Sequence, residues 1–175
     1  MNSKRSTKHS GRIYSDIIDE QGHQYVDLVM EGGGVLGYAL LGYINELEKE
    51  GIRFLNIGGT SAGSIIALGL AAAGKPQERK ALKLHGALRD MPIQEFLDGS
   101  KHAKKLAHIY TKDWSKRRFL YHLLFTYFQA KKKLGFHPGN RFQEWLTEML
   151  ASFNIHTTKE LIELMDDLPQ LKERN

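Results

Sequence analysis

The sequence predicts an α/β protein with a parallel strand-helix-strand core, helix-rich after residue 76. Three observations predict it. Two short runs rich in β-formers, Tyr25-Val26-Asp27-Leu28-Val29-Met30 and Arg53-Phe54-Leu55-Asn56-Ile57, flank a stretch with helical apolar spacing. A Gly-rich turn follows each run, and a second helical stretch follows the second turn. Two strands joined through a helix lie parallel, with a right-handed crossover. The remaining residues read as helices joined by loops.

Taken in order, residues 1–24 read as a flexible N-terminal arm and lead-in, with a short extended piece between Ile13 and Ile18 and a turn at Glu20-Gln21-Gly22. Residues 25–175 read as one partial domain with a motif core at 25–75 and a helical part at 76–175. In the first helix, Leu40, Leu41, Ile44 and Leu47 form an apolar stripe, and Gly51 stops it. The second, Ser64 to Ala73, is apolar nearly all round and is therefore expected to be buried; Gly74 and Pro76 end it. Later helices are expected over 76–90, around 92–98, 101–109, 113–133, 138–152 and 157–167, the last opening on the capping-box pattern Thr157-Thr158-Lys159-Glu160. Two strands are few for a parallel sheet. The expectation is either a stripped-down domain or the front part of a larger one.

Composition excludes several classes. With 41% hydrophobic and 26% charged residues the chain is globular in character. Cysteine is absent, which excludes a disulfide scaffold, a thiol nucleophile and a Cys-ligated zinc site. The longest apolar run, Ile65 to Ala73, falls well short of the roughly 20 residues that span a bilayer. No secretory signal is visible, so a cytoplasmic location is expected, with peripheral membrane association open. The net charge of +5 is unevenly spread. Residues 101–133 hold ten Lys/Arg against Asp113 alone. Such a segment suits an anionic membrane surface or nucleic acid, or forms a solvated helical face. The aromatic residues that interleave with it, Phe119, Tyr127 and Phe128 among them, read best as the buried face of one helix. No nucleic-acid motif accompanies the charge, so no nucleic-acid partner is expected.

The chemistry lies in the two turns. Gly59-Thr60-Ser61-Ala62-Gly63 matches G-x-S-x-G with a strand before it and a helix after it. In such an elbow the serine sits on a tight strand-to-helix turn with its hydroxyl projecting outward. Glycines at 59 and 63 leave room for neighbouring backbone, and the helix N-terminus favours developing negative charge. The alternative is a Gly-rich turn in which the serine caps the helix. Gly32-Gly33-Gly34-Val35-Leu36-Gly37 fits G-x-G-x-x-G, but the next strand ends without the acid a dinucleotide ribose needs. Its glycines serve better as backbone donors to an oxyanion. The order of elements puts both turns on one edge of the sheet. Gly69 to Lys75 has phosphate-loop spacing, yet it ends a helix and Pro76 replaces the Ser/Thr. The eight histidines show no compact metal spacing, and none is singled out as a base. No metal or other cofactor is expected.

From Asp27 to Gly37, and again from Ile57 to Ser64, the chain resembles the patatin-like phospholipase family. The resemblance implies a three-layer α/β/α fold and hydrolysis of lipid acyl esters by a Ser–Asp dyad without a metal. It implies that Ser61 is the nucleophile and that the Gly32, Gly33 and Gly34 backbone forms the oxyanion hole, with Gly37, Gly59 and Gly63 as motif glycines. Many family members carry Arg or Lys where this chain has Leu36. The family's dyad aspartate lies in an Asp-Gly-Gly or Asp-Gly-Ala motif well downstream of the serine. Here the one Asp-Gly pair is Asp98-Gly99, followed by Ser100, and Asp166 and Asp167 fall in an amphipathic helix. No dyad aspartate is assigned. The chain resembles the N-terminal portion of the domain and is expected to be weakly active or inactive alone. The other reading is a non-catalytic protein that binds anionic lipid.

Overall fold

The computed structural model describes residues 12–34, 37–96, 127 and 138–174. The described elements are β1 (Ile17–Asp19), β2 (Gln24–Met30), α1 (Gly37–Lys49), β3 (Ile52–Gly59), α2 (Ala62–Ala72), α3 (Ala81–Leu88), a 3-10 turn (Ile93–Phe96), α4 (Asn140–Ser152), α5 (Thr158–Met165) and β4 (Leu171–Glu173). The chain divides into two compact units, one of residues 1–90 with 149–175 and one of residues 91–148.

The first unit is built on a four-stranded mixed sheet in the order β3-β2-β1-β4. As expected, β2 and β3 run parallel, joined through α1. They are buried where they are most apolar, at Tyr25, Met30, Ile52 and Phe54. The two further strands are short and antiparallel. β1 pairs with β2 through the turn at Gly22, and β4 pairs with β1 in the register Ile17↔Glu173 to Asp19↔Leu171. Arg174 N extends that ladder by donating to Asp16 O at 2.7 Å. So β1 belongs to the sheet although it lies in the lead-in, and the helix-rich part after residue 76 closes on a strand.

The β1–β2 turn is fixed by one carboxylate. Asp19 is 2% exposed. It accepts from Gln21 N and His23 N at 2.9 Å each, from His23 Nδ1 at 2.8 Å and from Tyr25 Oη at 3.2 Å. Burial pushes its pKa up, but the hydrogen bonds from His23 and Tyr25 outweigh this and hold it below the usual carboxylate range. This cluster lies at the start of β2, away from the end that carries the glycine loop.

Helices α1, α2 and α3 pack against one another, and α1 and α2 pack on β3. The α2–α3 contact is close because Gly69 has no side chain: a Cβ there would lie 2.5 Å from Leu84 Cδ1. Leu70 and Leu84 are wholly buried. No residue of α2 except Ser64 is exposed, in line with its uniformly apolar sequence. Helix α3 begins at Ala81, five residues later than its apolar spacing suggests. Residues 76–80 are instead held as a turn by distant partners. The buried Arg53 donates to Gln77 O at 2.8 Å, and Glu48 accepts from Lys80 N at 2.7 Å and from Ala81 N at 3.1 Å. Helix α5 has the expected capping box, with Thr157 and Glu160 each accepting from the other's backbone N–H.

One stretch of the sheet is uncovered: Val29 is 85% exposed, and Asp27 and Asn56 beside it are exposed too. A helix over this stretch, as a third layer implies, is not among the described residues of this unit.

In the second unit, Phe96, Phe142 and Trp145 cluster in edge-on and tilted contacts with ring centroids 5.3–5.9 Å apart, and Arg141 pairs with Glu95 and Glu144. Of the segment 101–133 only Tyr127 is described; it is helical as expected but 58% exposed, so it does not lie on the buried face expected for it. The rest of the helices expected over 101–109 and 113–133, the basic residues they carry and the Asp98-Gly99-Ser100 loop lie outside the described residues. No helix of the described residues is long and apolar enough to cross a membrane.

Candidate active site

The two Gly-rich turns leave the C-terminal ends of adjacent parallel strands. Met30 at the end of β2 pairs with Gly59 at the end of β3, and Thr60 N donates to Met30 O at 3.1 Å. That rung joins the elbow to the start of the glycine loop. The expectation that both turns share one sheet edge is met.

Ser61 stands at the tip of the elbow with φ 49° and ψ −123°. A positive φ is costly for a residue with a Cβ, about 1–3 kcal/mol where the surroundings enforce it. Among the described residues only Asn154 shares this property without being glycine. The surroundings that enforce it are explicit. Ser61 O accepts from Ser64 N at 2.9 Å and from Ser64 Oγ at 2.6 Å, and Gly63 N donates to Thr60 O at 2.8 Å. These bonds turn the chain from β3 into α2 within three residues. The Ser61 side chain makes no capping hydrogen bond to α2. The helix-capping alternative is therefore not how the serine is used, and the residue is exposed.

The flanking glycines are required by close approach of backbone. A Cβ on Gly59 would lie 2.4 Å from both C and O of Gly63. One on Gly63 would lie 2.7 Å from Met30 O and 2.8 Å from Glu31 O. Each residue lets the elbow fold against itself and against β2.

The glycine loop comes up to the serine. A Cβ on Gly32 would lie 2.8 Å from Ser61 Cβ and 3.6 Å from its Oγ. Gly32 therefore presents bare backbone beside the hydroxyl, while Gly33 and Gly34 are exposed. Gly34 adopts φ 56°, which glycine takes without penalty. Gly37 opens α1, and its missing Cβ faces Ile66 Cδ1 and Ala62 Cβ at 3.4–3.5 Å, ordinary contact distances. Its role is helix packing against α2, less demanding than that of Gly59 or Gly63. Val35 and Leu36 lie outside the described residues.

No carboxylate or imidazole among the described residues hydrogen-bonds to Ser61. Asp166 is the C-cap of α5, and Asp167 pairs with Lys75 at 2.5 Å. His23 belongs to the Asp19 cluster, and His85 and His156 are exposed. The described residues also hold no group of three His, Asp or Glu side chains arranged for a metal ion. Asp27 was not singled out as a site residue from sequence, yet its carboxylate bridges to Asn56 just before the two turns. The available signal was Asn56 itself, a polar residue that breaks the alternation between Phe54 and Ile57.

A parallel strand pair, a glycine loop held against a serine elbow, and a buried helix make an α/β core. The family model described as patatin-like phospholipase matches residues 28–174. The chain belongs to the patatin-like phospholipase family, a family of lipid acyl hydrolases. It is also similar to a Bacillus subtilis (strain 168) protein described as "Uncharacterized protein YqhO", with 28% identity over 137 residues. That match takes in 78% of this chain but only 40% of the relative's length. No solved structure matches the chain.

Proposed function

We infer that Ser61 is the nucleophile of a serine-dependent lipid acyl hydrolase of phospholipase A type. The observation that carries this reading is the strained, exposed Ser61 with the bare backbone of Gly32 against it. In the reaction, Ser61 Oγ adds to the ester carbonyl carbon and gives up its proton to a base. The carbonyl oxygen becomes an oxyanion, received by backbone N–H groups of Gly32, Gly33 and Gly34, a type of contact worth several kcal/mol in such sites. Collapse expels the lipid alcohol, which takes a proton, and leaves an acyl-serine. Water then adds to the acyl carbon, the carboxylic acid departs, and the serine oxygen takes up a proton to restore the hydroxyl. The base is an aspartate in the family's pattern, and none is assigned here. The 175-residue chain alone is therefore proposed to be weak or inactive in turnover.

The test is prolonged labelling with excess fluorophosphonate, which needs no deacylation and which a missing base slows without abolishing. Labelling of the chain that disappears in Ser61→Ala supports the reading. Absent labelling, or labelling that survives the substitution, overturns it.

A second reading is favoured by the excess of nine positive charges in residues 101–133. In it the chain binds anionic lipid without catalysis. Sedimentation with vesicles of phosphatidylserine and phosphatidylcholine across a salt series decides: binding that needs the anionic lipid and falls with salt supports it. Binding indifferent to both removes it.

A further inference from the structure

The parallel ladder between β2 and β3 is not regular. Val26 pairs with Phe54, but the next pair is Leu28 with Ile57. Two steps along β2 thus match three along β3, and the extra residue is a β-bulge, a device rare in parallel pairs and common beside functional sites. Ile52, Arg53 and Phe54 before it are buried, Asn56 at it is exposed, and Ile57 after it is half-buried.

Leu55 and Asn56 have no paired residue on β2 in this register. Asp27 Oδ1 accepts from Asn56 N at 3.3 Å and from Asn56 Nδ2 at 2.8 Å. One carboxylate oxygen thus spans the two strands at the bulge. Everything beyond that point inherits its register: Val29↔Gly58, Met30↔Gly59, then the rung from Thr60 N to Met30 O. A shift of one residue in a strand moves the chain by about 3.3 Å and reverses its faces. The closeness of Gly32 to Ser61 therefore depends on the bulge staying where it is.

We propose that Asp27 and Asn56 are positioning residues that clamp this bulge and so set the elbow of Ser61 in register with the glycine loop. The inference rests on the reading of Ser61 as nucleophile. Asp27 touches no reacting atom in this scheme and acts through the backbone of β3. The acceptor oxygen matters more than the charge, because both bonds come from neutral amide groups.

The experiment compares Asp27→Ala, Asp27→Asn and Asn56→Ala with the parent chain. Amide hydrogen exchange is read by NMR at position 56 and Thr60, and the rate of fluorophosphonate labelling is read at Ser61. Asp27→Ala is expected to exchange the position 56 amide at least tenfold faster, to raise Thr60 exchange, and to slow labelling about 5- to 20-fold. Protection at Tyr25 and Phe54 in the core is expected to stay. Asp27→Asn retains an acceptor and is expected to restore both readouts to within about threefold of the parent. Asn56→Ala loses only the side-chain bond and is expected to fall between, which keeps the test open should Asp27→Ala fold poorly. Unchanged exchange at position 56 and Thr60 in Asp27→Ala overturns the clamp. So does a faster exchange with unchanged labelling. If the parent chain does not label at all, the nucleophile reading fails, and the clamp is judged on Thr60 exchange alone.

Discussion

Glu48 and Lys80 are joined by a hydrogen bond from the Lys80 backbone N–H and not by a side-chain ion pair. The Glu48 carboxylate, 2% exposed, accepts from Lys80 N at 2.7 Å and from Ala81 N, so it holds the first turn of α3 from the end of α1. Lys80 is 1% exposed and its amine has no hydrogen-bond partner among the described residues. Burial lowers the Lys80 pKa to about 8, against the attraction of Glu48 and Glu78 and with the repulsion of Lys83 and Arg53.

The folded chain therefore binds fewer protons at Lys80 than the unfolded chain between pH of about 8 and 10.5. Stability rises with pH across that window, and the whole cost of the buried ammonium is present below it. Lys80→Met is expected to stabilise the fold at pH 7 by about 1–3 kcal/mol and to flatten that slope. Urea unfolding of both chains from pH 7 to 10.5 checks this. An unchanged difference between them across the series would count against a buried, unpartnered amine.

Gly32→Ala places a methyl group 2.8 Å from Ser61 Cβ. Real carbon contacts are never so short, and the loop must withdraw by several tenths of an ångström. Labelling of Ser61 is expected to fall about 100-fold, because displaced oxyanion donors lose most of their effect. The thermal midpoint is expected to move little, since the loop is at the surface. Thermal unfolding and labelling on the same sample separate the two.

Gly59→Ala meets the backbone of Gly63 and Ser64. Its Cβ would lie 2.4 Å from C and O of Gly63, neither of which can swing aside as a side chain does. A loss of about 2–4 kcal/mol is expected, larger than that of Gly37→Ala, where the neighbours are side-chain carbons at 3.4 Å or beyond. Chemical denaturation of the two variants gives the order.

Ser61→Gly relieves the strain of φ 49° and is expected to stabilise the chain by about 1 kcal/mol, after the greater freedom of glycine in the unfolded chain is set against it. Ser61→Ala keeps the strain and is expected to stay within about 0.5 kcal/mol of the parent. Equal stabilities for the two variants would mean the elbow is not strained.

The parallel pair, both turns and the helices next to them are legible in the sequence because each signal there is local. Met30 ends an apolar run, Gly51 stops a helix, and Gly59 and Gly63 bracket Ser61. The parts that escape are those that depend on distant partners. Three-residue strands such as Ile17–Asp19 and Leu171–Glu173 carry no period to read, and they form because each finds the other. The late start of α3 follows from Arg53 and Glu48, far away in sequence. The bulge is written only in the spacing of Phe54, Asn56 and Ile57. In the candidate site the elbow serine and its flanking glycines could be read from spacing. The conformation of Ser61 and the closeness of Gly32 could not, since both arise when two loops meet.

The junction between Asp16 and Arg174 has a practical side. The two strands there are antiparallel, so the short last strand hems the sheet along β1. Deleting residues 171–174 would bare the backbone of β1 to solvent, an open seam that invites a strand from a second molecule, so polypeptides shortened there are expected to self-associate.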